Sequence, residues 1–256
     1  MDTKQCCVDF YQNELVRVLF GDSLHPGALS LTEKLGKEIN LSKENKVLDV
    51  GCGVGTSSIF LAKKFGCSMT GIDLSEKNIK IAESFATEQG LESLTNFLVG
   101  DAEKFDLSDN MFDSIICECS LCLFPDKAQA AKEMFRVLKK DGNLGISDVV
   151  IRGELPEEMQ NALFKFICIL DAKRESEYTQ ILEKAGFDNI IFDDKKKEIQ
   201  NLLTDVKRRI FVAELAINMG RLKLNVDIKK AKEMLKLLSE CVSSGLISYT
   251  MITAQK

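Results

Sequence analysis

Short apolar runs alternate with amphipathic stretches along most of this chain. Val47 to Val50, Ser68 to Ile72, Asn96 to Val99, Asp113 to Cys117 and Asn143 to Ile151 read as strands. Between them, Thr56 to Phe65, Ser75 to about Thr87 and Lys127 to Leu138 carry apolar residues at helical spacing, with Ser75 placed to cap its helix. Lys140-Asp-Gly142 reads as the turn after the third of these helices. Strands that are apolar throughout, joined by helices, predict a parallel sheet covered on both faces.

The flanks follow other patterns. Residues 8 to 20 and Ser30 to Ile39 have helical periodicity, interrupted by Gly21 to Gly27 with its Pro26. Beyond Pro156, Glu157 to Leu170 and Glu175 to Ala185 read as helices, the latter ending at Gly186. Asn189 to Phe192 reads as a strand, Val206 to Met219 and Asp227 to Val242 as amphipathic helices, and Leu246 to Ala254 as a final strand. Lys195-Lys-Lys197 is expected to be a solvated turn. The expected division is residues 1–45, a core over 46–155, and a C-terminal part over 156–256.

Candidate chemistry concentrates at the ends of the first strands. Asp49-Val-Gly51-Cys-Gly53-Val-Gly55 joins strand one to its helix. Glycines at alternate positions let the backbone turn sharply and approach a ligand. Asp73 ends strand two, roughly twenty residues on, where doubly wound nucleotide folds grip a ribose. Asp101 follows strand three. A nicotinamide-binding loop spaces its glycines G-x-G-x-x-G, and Thr56 stands where that pattern wants the third.

Together these residues resemble the class I S-adenosylmethionine (SAM) methyltransferases over roughly Lys46 to Val150. The resemblance implies a Rossmann-like seven-stranded sheet with helices on both faces, an antiparallel last strand, an N-terminal helical lid and extra C-terminal helices. It implies SAM as cofactor. Asp49 and the backbone of Gly51, Gly53 and Gly55 would take the methionyl end, and Asp73 the ribose hydroxyls. Ile72 and Leu74 would flank adenine, Asp101 and Ala102 would read its edge, and Cys117 would border the site.

Strand four runs into Cys117-Glu-Cys119-Ser-Leu-Cys122, so three thiols are expected near the transferred methyl group. Thiolates favour soft ions. Here the chain resembles arsenite methyltransferases: Cys119 with Pro125-Asp-Lys127, Ser147-Asp-Val149, Leu155-Pro-Glu-Glu158, Cys168 with Asp171-Ala172, and Glu177-Tyr178 through Ala185-Gly-Phe187. That likeness implies As(III) held by Cys119 and Cys168, with Cys122 nearby. Ser58 and Ile167 depart from the family pattern. His25, the one histidine, and Tyr11 are the candidates in the lid for acceptor chemistry. Methylation of carbon, oxygen or nitrogen in a small organic acceptor, and a non-catalytic thiol-rich binding module, stand as alternatives.

Bulk properties narrow the partners. A formal charge of −5 over 256 residues disfavours nucleic acid. No run approaches a membrane span, and nine cysteines without an apolar leader point to free thiols in the cytoplasm.

Overall fold

A computed structural model describes residues 25–159, 171–219 and 228–256. The expected helix over residues 8 to 20, Tyr11 and Cys168 lie outside the described residues. The elements run α1 (Ala28–Glu38), β1 (Lys46–Val50), α2 (Thr56–Phe65), β2 (Ser68–Asp73), α3 (Glu76–Glu88), β3 (Thr95–Val99), β4 (Phe112–Glu118), α4 (Lys127–Val137) and β5 (Leu138–Ile151). They continue with α5 (Glu175–Ala185), β6 (Asp188–Asp194), α6 (Lys196–Asn218), α7 (Ile228–Ser244) and β7 (Ile247–Gln255). The seven strands form one sheet in the order β3-β2-β1-β4-β5-β7-β6. β1 to β5 are parallel, and β7 runs antiparallel between β5 and β6.

Each sheet face has its own core. Leu31 and Leu35 of α1, Leu61 of α2, Leu203 of α6 and Val242 of α7 cover Ile116, Val149 and Met251 on one face. Ala130 and Met134 of α4 and Tyr178 and Leu182 of α5 cover Ile115, Ile146 and Ile252 on the other. Ile59 of α2 meets Ile79, Ala82 and Phe97 in a third cluster beside the first strands. Ser75 caps α3, its hydroxyl accepting from the Asn78 N–H at 3.1 Å, as its sequence position predicts. No helix among the described residues is long and apolar enough to cross a membrane.

Two expectations need correction. Lys195-Lys-Lys197 opens α6 and is not a solvated turn: the Lys195 stem is buried, its ammonium pairs with Asp193, and Lys196 Nζ reaches the Ser243 carbonyl. Ile199, Leu203, Val206 and Ile210 continue one buried stripe, so α6 starts well before Val206. β5 likewise starts at Leu138, not Asn143. The segment read as a turn is a bulge in the strand, with Asp141 at φ 63° and its N–H bonded to the Lys256 carbonyl.

Candidate functional site

β1, β2 and β4 end side by side because the parallel register aligns their carboxyl termini. Between β1 and α2 the glycine loop is tied to the next strand: the Gly51 and Cys52 N–H groups donate to the Ile72 carbonyl at 2.8 and 3.0 Å. Asp73 locks the loop from the end of β2. Its Oδ2 accepts from Gly53 N at 2.9 Å, and its Oδ1 from Ser75 N at 2.8 Å and Asn78 Nδ2 at 3.2 Å. A carboxylate offers about four acceptor positions, so these three bonds leave one for a ligand.

The glycines differ in what surrounds them. A Cβ on Gly55 (φ 77°) would lie 2.8 Å from Ala82 Cβ and from the Phe97 ring. One on Gly53 (φ 54°) would meet nothing within 4 Å. The loop therefore turns its middle glycine toward open space beside Asp73, as a backbone cradle for the polar tail of a nucleoside ligand requires. Leu74 is 41% exposed next to that space. Ile72 is buried, so of the two residues expected to flank adenine only Leu74 offers its surface. Asp101 lies just beyond β3, its Oδ1 accepting from the Glu103 N–H at 3.0 Å, and Ala102 is buried beside it.

Asp49 is buried, and its Oδ2 accepts from Ser58 Oγ at 2.6 Å. Burial pushes its carboxyl up from 3.8 to about 7, with Glu118 and Asp73 adding like-charge repulsion and Ser58 opposing. The folded protein thus binds this proton more tightly than the unfolded chain. The resulting stability is fully present below the ordinary carboxylate range and is lost as pH rises through about 7. Asp49→Asn should remove roughly 3–5 kcal/mol of that pH dependence. Urea unfolding of both proteins at a series of pH values reads the difference; parallel stability curves would refute it.

The last residue of β4 organises a second polar centre. Glu118 Oε2 accepts from Thr32 Oγ1 of α1 at 2.9 Å and Ser57 Oγ of α2 at 2.7 Å, and its Oε1 from Ser147 Oγ of β5 at 3.2 Å. Tyr249 of β7 donates to the Ser147 carbonyl at 3.0 Å and lies equally close to Ser147 Oγ. His25 Nε2 stands 3.8 Å from Glu118 Oε2. Sequence reading met Glu118 and Ser147 only within the runs compared with arsenite methyltransferases, assigned them no role, and passed over Thr32, Ser57 and Tyr249. For Glu118 the available signal was a charged residue closing an apolar strand; the other four carry none.

The expected trio of thiols does not converge. Cys117 is enclosed in the core facing α4, while Cys119 and Cys122 belong with the opposite face. Alternation along β4 would put positions 117 and 119 on one face; the split arises because the strand ends at Glu118 and the left-handed backbone at Cys119 turns its side chain to the other side. Its enclosure also withholds the Cys117 side chain from the bordering position expected of it. Cys119 holds a left-handed backbone (φ 52°), fixed by its N–H donating to the Ser147 carbonyl at 2.7 Å. Burial, then Asp148 and Glu118, push its thiol far up, and Tyr249 only partly opposes them. Cys122 is fully buried and is likewise held protonated, by burial and then by Asp148.

Comparison with known proteins places this geometry in context. Residues 41–186 match the family described as a methyltransferase domain. Methyltransferase GfsG of Streptomyces halstedii is 33% identical over 210 residues, covering 74% of this chain and 75% of that one. Phosphoethanolamine N-methyltransferase 1 of Zea mays is 32% identical over 188 residues, which is 72% of this chain but 36% of the longer plant protein. Among solved structures, Haemonchus contortus phosphoethanolamine N-methyltransferase 2 in complex with S-adenosyl-L-methionine superposes with a TM-score of 0.86 at 17% identity, over 100% of this chain and 60% of that one.

Proposed function

Since the chain belongs to the methyltransferase domain family, as a class I enzyme that uses SAM, we propose that it methylates carbon, oxygen or nitrogen of a small organic acceptor held above the carboxyl ends of β4 and β5. The observation that carries this is the glycine loop open at Gly53 beside the partly satisfied Asp73. SAM supplies a methyl group made electrophilic by its sulfonium. The chain supplies position and exclusion of water, and alignment alone lowers such a barrier by roughly 7–11 kcal/mol.

In this reading Asp73 takes the ribose hydroxyls. With one acceptor position unfilled, a second hydroxyl bond needs the Asn78 amide to leave Oδ1. Asp49 faces the methionyl ammonium, and a cation there favours its ionised form. Gly51, Gly53 and Gly55 line the methionyl tail with backbone, Leu74 covers one face of adenine, and Asp101 with Ala102 meets its edge.

Thiolate-held As(III) is less well supported. The thiolate is the metal-binding form of cysteine, and the Cys119 and Cys122 thiols are both held protonated. Radiolabelled SAM offered with amines, phenols and carbon acids in parallel with arsenite tests the choice. Methyl uptake by an organic acceptor is expected, and Cys119→Ser should change that turnover by less than about tenfold, as serine nearly matches the size of a thiol that stays protonated and gives up no metalloid ligand. Uptake by arsenite alone, abolished in Cys119→Ser, would establish the metalloid reading instead.

A further inference from the structure

Three carboxylates stand around the loop between β1 and α2, and the open cradle at Gly53 lies among them. Asp73 holds the loop from the end of β2, and Asp49 is buried at the end of β1. Glu118 closes the group from the end of β4, where two ties fix it against the loop. Ser57, in the first turn of the helix that the loop opens, donates to Glu118 Oε2 at 2.7 Å. Ser120, two residues beyond Glu118, donates to the Gly51 carbonyl at 3.2 Å, and a Cβ on Gly51 would lie 2.6 Å from its hydroxyl oxygen. Asp49 is repelled by Glu118 more strongly than by Asp73.

The groups that solvate these acids are neutral. Glu118 accepts from the hydroxyls of Thr32, Ser57 and Ser147, and Asp49 from that of Ser58. Asp73 accepts from two backbone N–H groups and the Asn78 amide. All three partners of Glu118 donate, so the group they surround is an acceptor-only carboxylate. Among the described residues, no lysine or arginine bonds to any of the three acids. His25 Nε2 stands 3.8 Å from Glu118 Oε2, and an imidazole is charged only when protonated. Lys127, Arg152 and Lys195, at the same edge of the sheet, are committed to Asp171, Asp194 and Asp193. Buried carboxylates without a cation are costly. The centre therefore favours a ligand that brings positive charge with it.

We propose that Glu118 biases this site toward SAM and against S-adenosylhomocysteine (SAH), the spent cofactor. SAM carries an ammonium, a carboxylate and a sulfonium, so it is a net cation. When the methyl carbon leaves, the electron pair of its bond stays on sulfur, and the thioether that remains makes SAH neutral overall. Glu118 acts through its charge and its position beside the loop, not by contact with the reacting atoms. Methyl transfer then removes the charge that the acids hold, and this hastens product release. The inference rests on the cofactor placement given above.

Calorimetry with SAM, SAH and sinefungin tests it without turnover. In sinefungin an amine-bearing carbon replaces the methylsulfonium and restores the positive charge. Wild type is compared with Glu118→Gln, Glu118→Asp and Asp188→Asn, and thermal melting establishes that each variant is folded. Glutamine suits the position because hydroxyls rotate, accepting from its amide nitrogen or donating to its oxygen. Asp188 opens β6 at the amino ends of the parallel strands, so Asp188→Asn removes the same charge far from the loop. Glu118→Gln should weaken SAM and sinefungin about tenfold or more, the scale of one unit-charge interaction in a partly dry site, and SAH by less than about threefold. Glu118→Asp keeps the charge and should keep the wild-type ratio of SAM to SAH affinity, whatever both lose. Asp188→Asn should bind all three ligands as wild type does. Equal losses for the three ligands in Glu118→Gln would reduce Glu118 to a structural role and overturn the proposal. So would unchanged SAM affinity in that variant, a collapsed ratio in Glu118→Asp, or an equal shift in Asp188→Asn. A wild type that binds none of the three strikes the cofactor placement itself.

Discussion

Asp73→Ala is expected to abolish measurable SAM binding while leaving a folded protein. The carboxylate is the junction of three bonds, to the backbone N–H groups of Gly53 and Ser75 and to the Asn78 side chain. It thus shapes the loop as well as facing the ligand. Hydrogen bonds to a charged group contribute about 1.5–3 kcal/mol each. Loss of two ribose bonds lowers affinity by roughly 10²–10⁴-fold, at 1.4 kcal/mol per factor of ten. Asp73→Asn keeps the side-chain volume and one acceptor oxygen but sets its NH2 against a donor on the other side, so it should melt below wild type and bind with intermediate strength. Calorimetry with SAM alongside thermal melting separates the two contributions. An Asp73→Ala protein that binds SAM as tightly as wild type removes the cofactor site assigned here.

Gly55→Ala should be far more destabilising than Gly53→Ala in the same loop. A left-handed backbone costs a non-glycine residue about 1–2 kcal/mol, and overpacking adds about 1–3 kcal/mol. Here the added carbon would press on Ala82 and Phe97, both buried in the cluster that seats α2 against α3 and β3. Neither can withdraw, because one is already a single methyl and the other is a ring held among Ile59, Ile79 and Ala86. The sum, roughly 2–5 kcal/mol, corresponds to a fall in melting temperature of about 4–20 °C for a chain of this size. Gly53→Ala makes the useful contrast: it bears the backbone cost alone, since no atom stands within 4 Å of its new carbon. It should melt close to wild type and fail chiefly in binding SAM. Equal melting temperatures for the two alanine variants would show that the packing around Gly55 is not what fixes the loop.

The sheet was legible in the sequence because its strands are short, apolar and punctuated. The βα rhythm from Lys46 to Ile151 and the C-terminal glycine of α5 at Gly186 need only local chemistry to be read. Boundaries failed where tertiary contacts overrode local signals. Three lysines look like a solvated turn until Asp193 and the Ser243 carbonyl are found to receive two of them. Lys140-Asp-Gly142 looks like a turn until the neighbouring chain at Lys256 is found to draw it into β5. At the site, the glycine loop and Asp73 carry a spacing that survives on paper, and they meet in space through the Gly53 N–H. The Glu118 centre carries no such spacing. Its members stand at positions 25, 32, 57, 118, 147 and 249, and only the fold brings them together. The cysteines misled for the opposite reason: close in sequence, Cys117 and Cys119 fall on different faces of the sheet.

The strand order has a consequence for synthesis. β6 touches the sheet only through β7, yet it is made first, with all of α6 and α7 emerging between Asp194 and Ile247. While a ribosome is still translating those helices, β6 has nothing to zip onto and the outer edge of β5 lies bare. Bare edges invite pairing with other chains, and nascent domains meet such hazards in the order they emerge. Until β7 inserts between its two neighbours, the nascent polypeptide depends on chaperone cover or on the two helices folding back over β5.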